Sequence, residues 1–428
     1  MTVPPPGTVG YVAAVAIVIA NMVGTGAFTT LGLQAAGLSS PLALLSLWAI
    51  GGVVALAGAL CYGELATTLP RSGGEYTYLG RIYHPVLGLA AGIVSLTVGF
   101  AAPMALAAMA LGYYAGPLTG LRPVTLAALA LVAVTLAHAF DTRVGKGFHV
   151  LATALKLGLV LSFCAAGLAV VPATDLVLTG FRDAWDQARS PSFAVSLIYV
   201  AYAYSGWNAA VYLAGEVRDP QRTLPRSLFH GTLVVTGLYL LLNFVFLRTI
   251  PPAELPGTVE VGALSARWIF GAGGGALMSA LLSLLLLSTI SAMAWTGPRV
   301  IETAAQDLAP LAWLARRTRG GAPLRAVLAQ SGLALAFVAT GAFEGVLTYA
   351  GFTLSLTALL AVLGVIVLRR TAPDLPRPYR VPAYPWTPLI FLAVTGFSLA
   401  YGALERPVVA LSSVATVGLS LGLASRRR

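Results

Sequence analysis

The sequence predicts an all-α integral membrane protein of twelve transmembrane helices, on the strength of its composition, the recurrence of its apolar runs and the placement of its basic residues. Of 428 residues, 58% are hydrophobic and only 10% charged, far from the roughly half apolar, quarter charged mixture of a soluble domain. Apolar runs of about 20 residues, long enough to cross roughly 30 Å of hydrocarbon at 1.5 Å per residue, recur along the whole chain. A formal net charge of +11 would suit nucleic acid if it were spread over one surface, so the position of each basic residue decides its meaning.

In chain order the spans read as 8–36, 41–69, 85–116, 122–140, 147–171, 191–215, 226–249, 262–298, 326–342, 345–369, 385–401 and 407–424. Met1 to Gly7 carries no basic residue and no small-residue cleavage site closes the first run, so it reads as a retained helix rather than a signal peptide. With the N-terminus in the cytoplasm, Arg71, Arg81, Arg143, Lys146, Arg218, Arg222, Arg226, Arg299, Arg316, Arg317, Arg319, Arg325, Arg369, Arg370, Arg377, Arg380 and Arg426 to Arg428 all fall inside. Only Arg122, Arg182, Arg189, Arg248, Arg267 and Arg406 fall outside. The positive-inside rule therefore agrees with the span count in putting both termini in the cytoplasm. Cys61 and Cys164 lie in apolar helix sequence and read as buried thiols with no disulfide framework.

The longest polar stretches, 172–190, 216–225, 250–261, 299–325 and 370–384, are of connector length, which leaves recognition to the helices themselves. Two spans are interrupted in a matching way: the first by Asn21 to Gly26, the sixth by Tyr204 to Asn208. An odd offset of five spans puts the second interruption on a helix of opposite direction, the signature of an inverted repeat with a midplane site made by broken helices. The repeats would occupy residues 1–172 and 190–370, with 371–428 holding two further helices and a basic tail. Small residues also serve plain helix packing, and a single Gly-x-Gly would read that way; the paired placement favours unwound segments.

An unwound helix leaves backbone N–H groups without their usual partners. The half-helix beginning near Thr25 aims its positive dipole end at the gap, and Gly24 and Gly26 let an anion approach the backbone. Carbonyls at Met22 and from Tyr202 through Ala203 to Ser205 and Gly206 supply acceptors for an ammonium. Donors for an anion beside acceptors for a cation match a zwitterionic α-amino acid, and a small carboxylate lacking the amine also fits. Lys156, one of two lysines, lies about ten residues into the fifth span, too deep for its ammonium to reach the membrane edge without extending roughly 13 Å. An ionisable group at that depth reads as functional: a buried ammonium can stand where a sodium ion would otherwise bind, or can give up its proton in proton coupling. Asp and Glu are missing from the centres of spans 1, 3, 6, 8 and 10, which favours neutral over cationic substrates. There is no His-Glu-x-x-His and no Walker loop, and His84, His138, His149 and His230 form no cluster, so no enzyme, metal site or cofactor is expected.

Gly24-Thr25-Gly26-Ala27-Phe28, Cys61-Tyr62-Gly63-Glu64-Leu65 with Pro70 to Tyr76, Tyr202 to Asn208, Gly215 to Pro220 and Leu224-Pro225-Arg226 together resemble the amino acid–polyamine–organocation superfamily, and within it the L-type amino-acid transporters, over residues 8–385. The resemblance implies a LeuT-like fold of two inverted five-helix repeats with helices 1 and 6 broken. It also implies a substrate carboxylate on Gly24 to Gly26, an amine on carbonyls of both broken helices and Tyr202 covering the substrate. Lys156 matches the lysine that replaces sodium in sodium-independent members, and Tyr239 and Asn243 match polar seventh-helix positions near it. The eighth helix, Ser288 to Trp295, aligns in more than one register, with Ser288 assigned to the Lys156 site. Thr25 replaces the usual serine, and Asn208 follows the Gly206 motif where arginine and polyamine exchangers carry a glutamate. Animal relatives join a glycoprotein through a cysteine after the third helix; none occurs between residues 114 and 124, so no heavy subunit is expected. The expected function is a sodium-independent exchanger or uniporter of small neutral L-amino acids in a bacterial-type inner (plasma) membrane. A proton-coupled symporter, an exporter or carrier of amines, and a membrane receptor without turnover are the competing readings.

Overall fold

The computed structural model describes residues 9–140, 146–170, 180–307, 312–314 and 323–425, and of residues 139–140, 146–153 and 299–307 the backbone alone. Among them Arg143, Arg316, Arg317, Arg319 and Arg426 to Arg428 are not included, nor are the side chains of Lys146, His149 and Arg299. Within the described residues the regular secondary structure is helical, apart from a single strand-like bridge between Val9 and Val217.

The first half comprises α1 (Tyr11–Met22), α2 (Gly26–Ala35), α3 (Pro41–Thr68), α4 (Glu75–Ile82), α5 (Pro85–Val94), α6 (Ala102–Thr119), α7 (Pro123–Phe140) and α8 (Lys146–Ala169). After it come α9 (Phe181–Ala188), α10 (Pro191–Tyr204), a 3₁₀ segment (Ala209–Glu216), α11 (Pro220–Thr249), α12 (Val261–Asp307), α13 (Leu324–Ala339), α14 (Phe343–Thr371), α15 (Trp386–Glu405) and α16 (Pro407–Ser425). Among the described residues, eight stretches are long and apolar enough to cross a membrane, and Pro123–His138, Ala154–Ala169 and Leu324–Ala339 are shorter apolar helices.

Local chemistry explains the boundaries. Ser40 and Ser190 accept from the N–H groups of Ala43 and Phe193, each ahead of a proline in the first turn, which caps α3 and α10 where backbone donors would otherwise be orphaned. α11 begins at Pro220, earlier than the apolar run at 226, because Pro220 lies in its first turn. Between α5 and α6, Ser95–Ala101 winds as a π-helix just before Pro103, which lacks the N–H that would bond to Gly99. Gly120 closes α6 at φ +72°, and Gly271, at φ +77°, kinks α12.

Packing divides inward from outward faces. On α8, Val160 and Phe163 are buried while Leu155 and Leu161 are more than half exposed, the pattern of a helix with one side on protein and one on lipid. α3 packs on α11, α6 on α12, α1 on α11, α2 on α10, and α14 on both α10 and α15. Cys61 and Cys164 are buried free thiols.

Glu64, near the end of α3, ties down the connector after α14. Its carboxylate accepts from Arg369 Nε at 2.8 Å and from Arg369 Nη2, and the backbone N–H of Val381 donates to it at 2.7 Å. Arg377 lies beside it at 3.7 Å and donates to the carbonyls of Leu368, Ala372, Pro373 and Leu375, closing the C-terminus of α14. Glu64→Ala strips a buried anion from two partly buried arginines and leaves the Val381 N–H without its acceptor, so it is expected to lower stability by about 1–3 kcal/mol. Thermal unfolding of the detergent-solubilised protein checks this: a melting temperature equal to wild type contradicts it.

Candidate functional site

The first break begins where α1 ends. Val23 turns extended (φ −73°, ψ 90°), and α2 starts again after Thr25. The N–H groups of Thr25, Gly26 and Ala27 find no backbone acceptor among the described residues, as expected of a helix start. They form the positive end of α2. At the second break, α10 ends at Tyr204, Ser205 turns extended (ψ 148°) with its N–H on the Tyr202 carbonyl, and Gly206 takes φ +99°.

The two breaks touch backbone to backbone. A Cβ on Gly206 would lie 2.8 Å from the carbonyl carbon and oxygen of Asn21, and one on Gly26 would lie 2.6 Å from Ala203 Cα. Glycine is needed at 206 for its conformation and its neighbour together. Gly26 makes room for α10, whereas sequence reading assigned that room to an anion. Gly24 is different: a Cβ there would meet only the Met22 carbonyl at 3.8 Å.

Two side chains hold the first break, and one of them also reaches the second. The Tyr239 hydroxyl on α11 reaches the Met22 carbonyl at 2.5 Å and the Ala203 carbonyl at 3.2 Å. Lys156, only 9% exposed, donates from Nζ to the Val23 carbonyl at 2.9 Å and to Thr289 Oγ1 at 3.4 Å. Its side chain therefore runs inward, not to a membrane edge. Ser288 is buried one position earlier, and the hydroxyl that meets Lys156 is that of Thr289. Asn243, fully buried one turn beyond Tyr239, donates to the Tyr239 carbonyl at 2.8 Å and leaves its Oδ1 without a partner.

A narrow cleft opens beside the first break, lined by Gly24, Thr25, Phe28, Thr29, Tyr114, Lys156, Leu282, Leu285, Leu286 and Thr289. Of the residues proposed from sequence, it gathers Gly24, Thr25 and Lys156. Met22, Gly26, Tyr202, Ala203, Ser205, Gly206, Tyr239, Asn243 and Ser288 lie outside this lining; Gly26 meets Ala203 and Gly206 meets Asn21 between the breaks, and Tyr239 links Met22 to Ala203. Lys156 is the sole charged residue in the lining. A free helix start, one ammonium and apolar walls suit a small anion-bearing ligand. The carbonyls of Met22 and Ala203 already accept from Tyr239, each keeping a second lone pair.

Sequence reasoning missed two features. Thr289 was hidden by the register ambiguity of its helix. Glu75 reaches Asn208 at the second break, although only its place in the motif Pro70 to Tyr76 pointed to it. Asn208 thus serves a hydrogen bond to Glu75 and does not line the cleft.

The family profile described as "Amino acid permease" matches residues 9–419. The chain is 26% identical to the b(0,+)-type amino acid transporter 1 of Mus musculus over 412 residues, covering 93% of this chain and 83% of that protein. It is 27% identical to the large neutral amino acids transporter small subunit 2 of Homo sapiens over 416 residues, 94% of this chain and 76% of that one. It is likewise 27% identical to the serine/threonine exchanger SteT of Bacillus subtilis (strain 168) over 403 residues, 91% and 90% of the two chains.

The glycines offer a direct test. Gly24→Ala has space for its methyl group and is expected to leave the melting temperature near wild type while reducing amino-acid uptake, because that methyl stands beside the free N–H groups. Gly26→Ala presses on the backbone of α10 and is expected to cost about 1–3 kcal/mol of stability. Thermal unfolding paired with proteoliposome uptake separates the two, and equal destabilisation by both would refute the distinction.

Proposed function

The chain belongs to the amino acid permease family, and from that premise we propose that it is a sodium-independent secondary transporter, exchanger or uniporter, of small neutral L-amino acids. As a multi-span membrane protein of a transporter family it moves amino acids rather than transforming them. The observation that carries the finer reading is the Lys156 ammonium held on the carbonyl of Val23 at the first break. A tethered cation there satisfies an oxygen freed by unwinding, the task a sodium ion would otherwise perform.

In this reading the substrate carboxylate meets the N–H groups of Thr25 to Ala27, and its ammonium takes the spare lone pairs of Met22 and Ala203. Tyr202 covers the bound substrate, while Thr289 holds the Lys156 ammonium and Tyr239, backed by Asn243, holds the two breaks together. The absence of a carboxylate from the cleft lining supports a neutral substrate, since a cationic side chain would face Lys156 and leucines with no counter-charge. The names of the relatives, one an exchanger of serine and threonine, one a carrier of large neutral amino acids, support exchange of neutral substrates.

The architecture proposed is LeuT-like: inverted repeats at 1–172 and 190–370, with 371–428 appended. Eight long apolar helices, three shorter ones and the split segment from Pro191 to Glu216 supply its twelve crossings. Both termini face the cytoplasm across the plasma membrane. No glycoprotein heavy subunit is required, in keeping with the lack of a cysteine between residues 114 and 124. Proton symport is the second reading, favoured by the burial of Lys156 beside Leu282, Leu285 and Leu286, since an amine that releases its proton during the cycle would link uptake to the proton gradient.

Two measurements test the proposal. Replacing sodium with choline is expected to leave wild-type uptake unchanged, while Lys156→Ala loses most of it, because buried oxygens left unpaired cost about 1–3 kcal/mol each. Strict sodium dependence, or full activity in Lys156→Ala, refutes the role given to Lys156. Unlabelled neutral amino acids should compete for uptake, and arginine, lysine and putrescine should compete poorly; arginine competing as well as alanine removes the neutral-substrate reading.

A further inference from the structure

Glu75 begins α4, in the connector after α3, and its carboxylate is almost fully buried at 6% exposure. Three neutral donors converge on it: Tyr62 Oη at 2.8 Å and Asn208 Nδ2 at 2.7 Å on Oε1, and Tyr212 Oη at 2.6 Å on Oε2. Among the described residues no cation pairs with it. Two of these donors belong to the far side of the second break, Asn208 at its edge and Tyr212 in the 3₁₀ segment.

Further contacts fasten the same segment to the same connector. The Tyr212 ring lies over Gly74, where a Cβ would come within 2.5 Å of it and where φ is +53°. The backbone N–H of Gly215 donates to Ser72 Oγ at 2.9 Å, and Trp207 packs edge-on against Tyr62 with ring centroids 4.7 Å apart. From the other side, Val9 N–H donates to the Glu216 carbonyl and Arg218 N–H to the Val9 carbonyl. The segment so held is the least regular part of its span, a 3₁₀ helix with Leu213 outside helical geometry, and such helices have weaker hydrogen bonds than α-helices.

We infer that Glu75 is a positioning residue for transport: through Tyr62, Asn208 and Tyr212 it clamps the 209–216 segment shut against the connector, and this clamp opens when the cleft is exposed on that side. The contrast with Glu64 carries the argument. Glu64 is locked by arginine into a fixed charge pair, whereas Glu75 is held by hydroxyl and amide groups that water can replace as the segment swings away. Because the clamp grips the second break directly, its release moves the backbone from which the Ala203 carbonyl meets Tyr239. The inference rests on the proposed function in taking the two breaks as the substrate site.

The test places a reporter on the clamped segment. Ala214→Cys is chosen because Ala214 is 5% exposed, and the native Cys61 and Cys164 are buried at 0% and 1% and give little background. Labelling by a membrane-impermeant maleimide is followed in purified protein and in proteoliposomes. Adding Glu75→Gln keeps the side-chain size but replaces an acceptor with a donor, and is expected to speed labelling about tenfold or more, as for loss of a hydrogen bond to a charged group. Adding Tyr212→Phe removes one of the three donors to Glu75, together with the long 3.3 Å bond from Asn208, and is expected to give a smaller increase in protein of near wild-type melting temperature, so the inference stays testable if Glu75→Gln fails to fold. Turnover should fall in both. Unchanged labelling in a folded variant overturns the inference even if transport is lost, since loss without exposure marks Glu75 as part of the scaffold. Wild-type protein that carries no amino acid instead defeats the proposed function and leaves the labelling comparison standing.

Discussion

A helix that unwinds inside a low-dielectric interior must find partners for every peptide group it frees, and the central arrangement of this protein follows from that requirement. The carbonyls of Met22, Val23 and Ala203 take the Tyr239 hydroxyl and the Lys156 ammonium. Among the described residues the N–H groups of Thr25, Gly26 and Ala27 are left without backbone acceptors. Each of these carbonyls already has one donor while the freed N–H groups have no backbone partner, so the imbalance at the break favours an anion. A ligand carboxylate answers that imbalance better than any group in the cleft lining, whose only charge is positive.

The same requirement explains why the two breaks are pressed together. With Asn21 against Gly206 and Ala203 against Gly26, a single hydroxyl reaches a carbonyl from each, and a displacement of one break is felt by the other. Packed interiors respond to such displacements by switching between discrete arrangements rather than by stretching. The two glutamates outside the cleft fit this division. Glu64 joins α3 to the connector after α14 through arginine, a joint suited to permanence, and Glu75 meets the second break through neutral donors, a joint suited to release.

The helical class and the places where helices break were legible in the sequence, since apolar length and clustered small residues are properties of consecutive positions. The reading of Asn21 to Gly26 and Tyr204 to Asn208 as interruptions corresponds to observed helix ends at Met22 and Tyr204 and restarts at Gly26 and Ala209. The depth of Lys156 in an apolar run likewise signalled an inward, paired ammonium. Less legible was the division of labour among glycines. Gly24 and Gly26 look alike in sequence, but a Cβ finds open space at the first and the backbone of α10 at the second.

By itself, the sequence determined that this chain lives in a membrane, where it unwinds and that one lysine is buried, because hydrophobicity, glycine spacing and isolated charge are local and need no knowledge of neighbours. Only the tertiary structure decided which partners those features meet: Thr289 rather than Ser288 for Lys156, Glu75 for Asn208, Ala203 for Gly26. Adjacent residues on a helix point about 100° apart, so the choice between neighbouring hydroxyls depends on the rotation of α12 against α8. That rotation is set by packing over the whole length of both helices, a constraint that no short stretch of sequence contains.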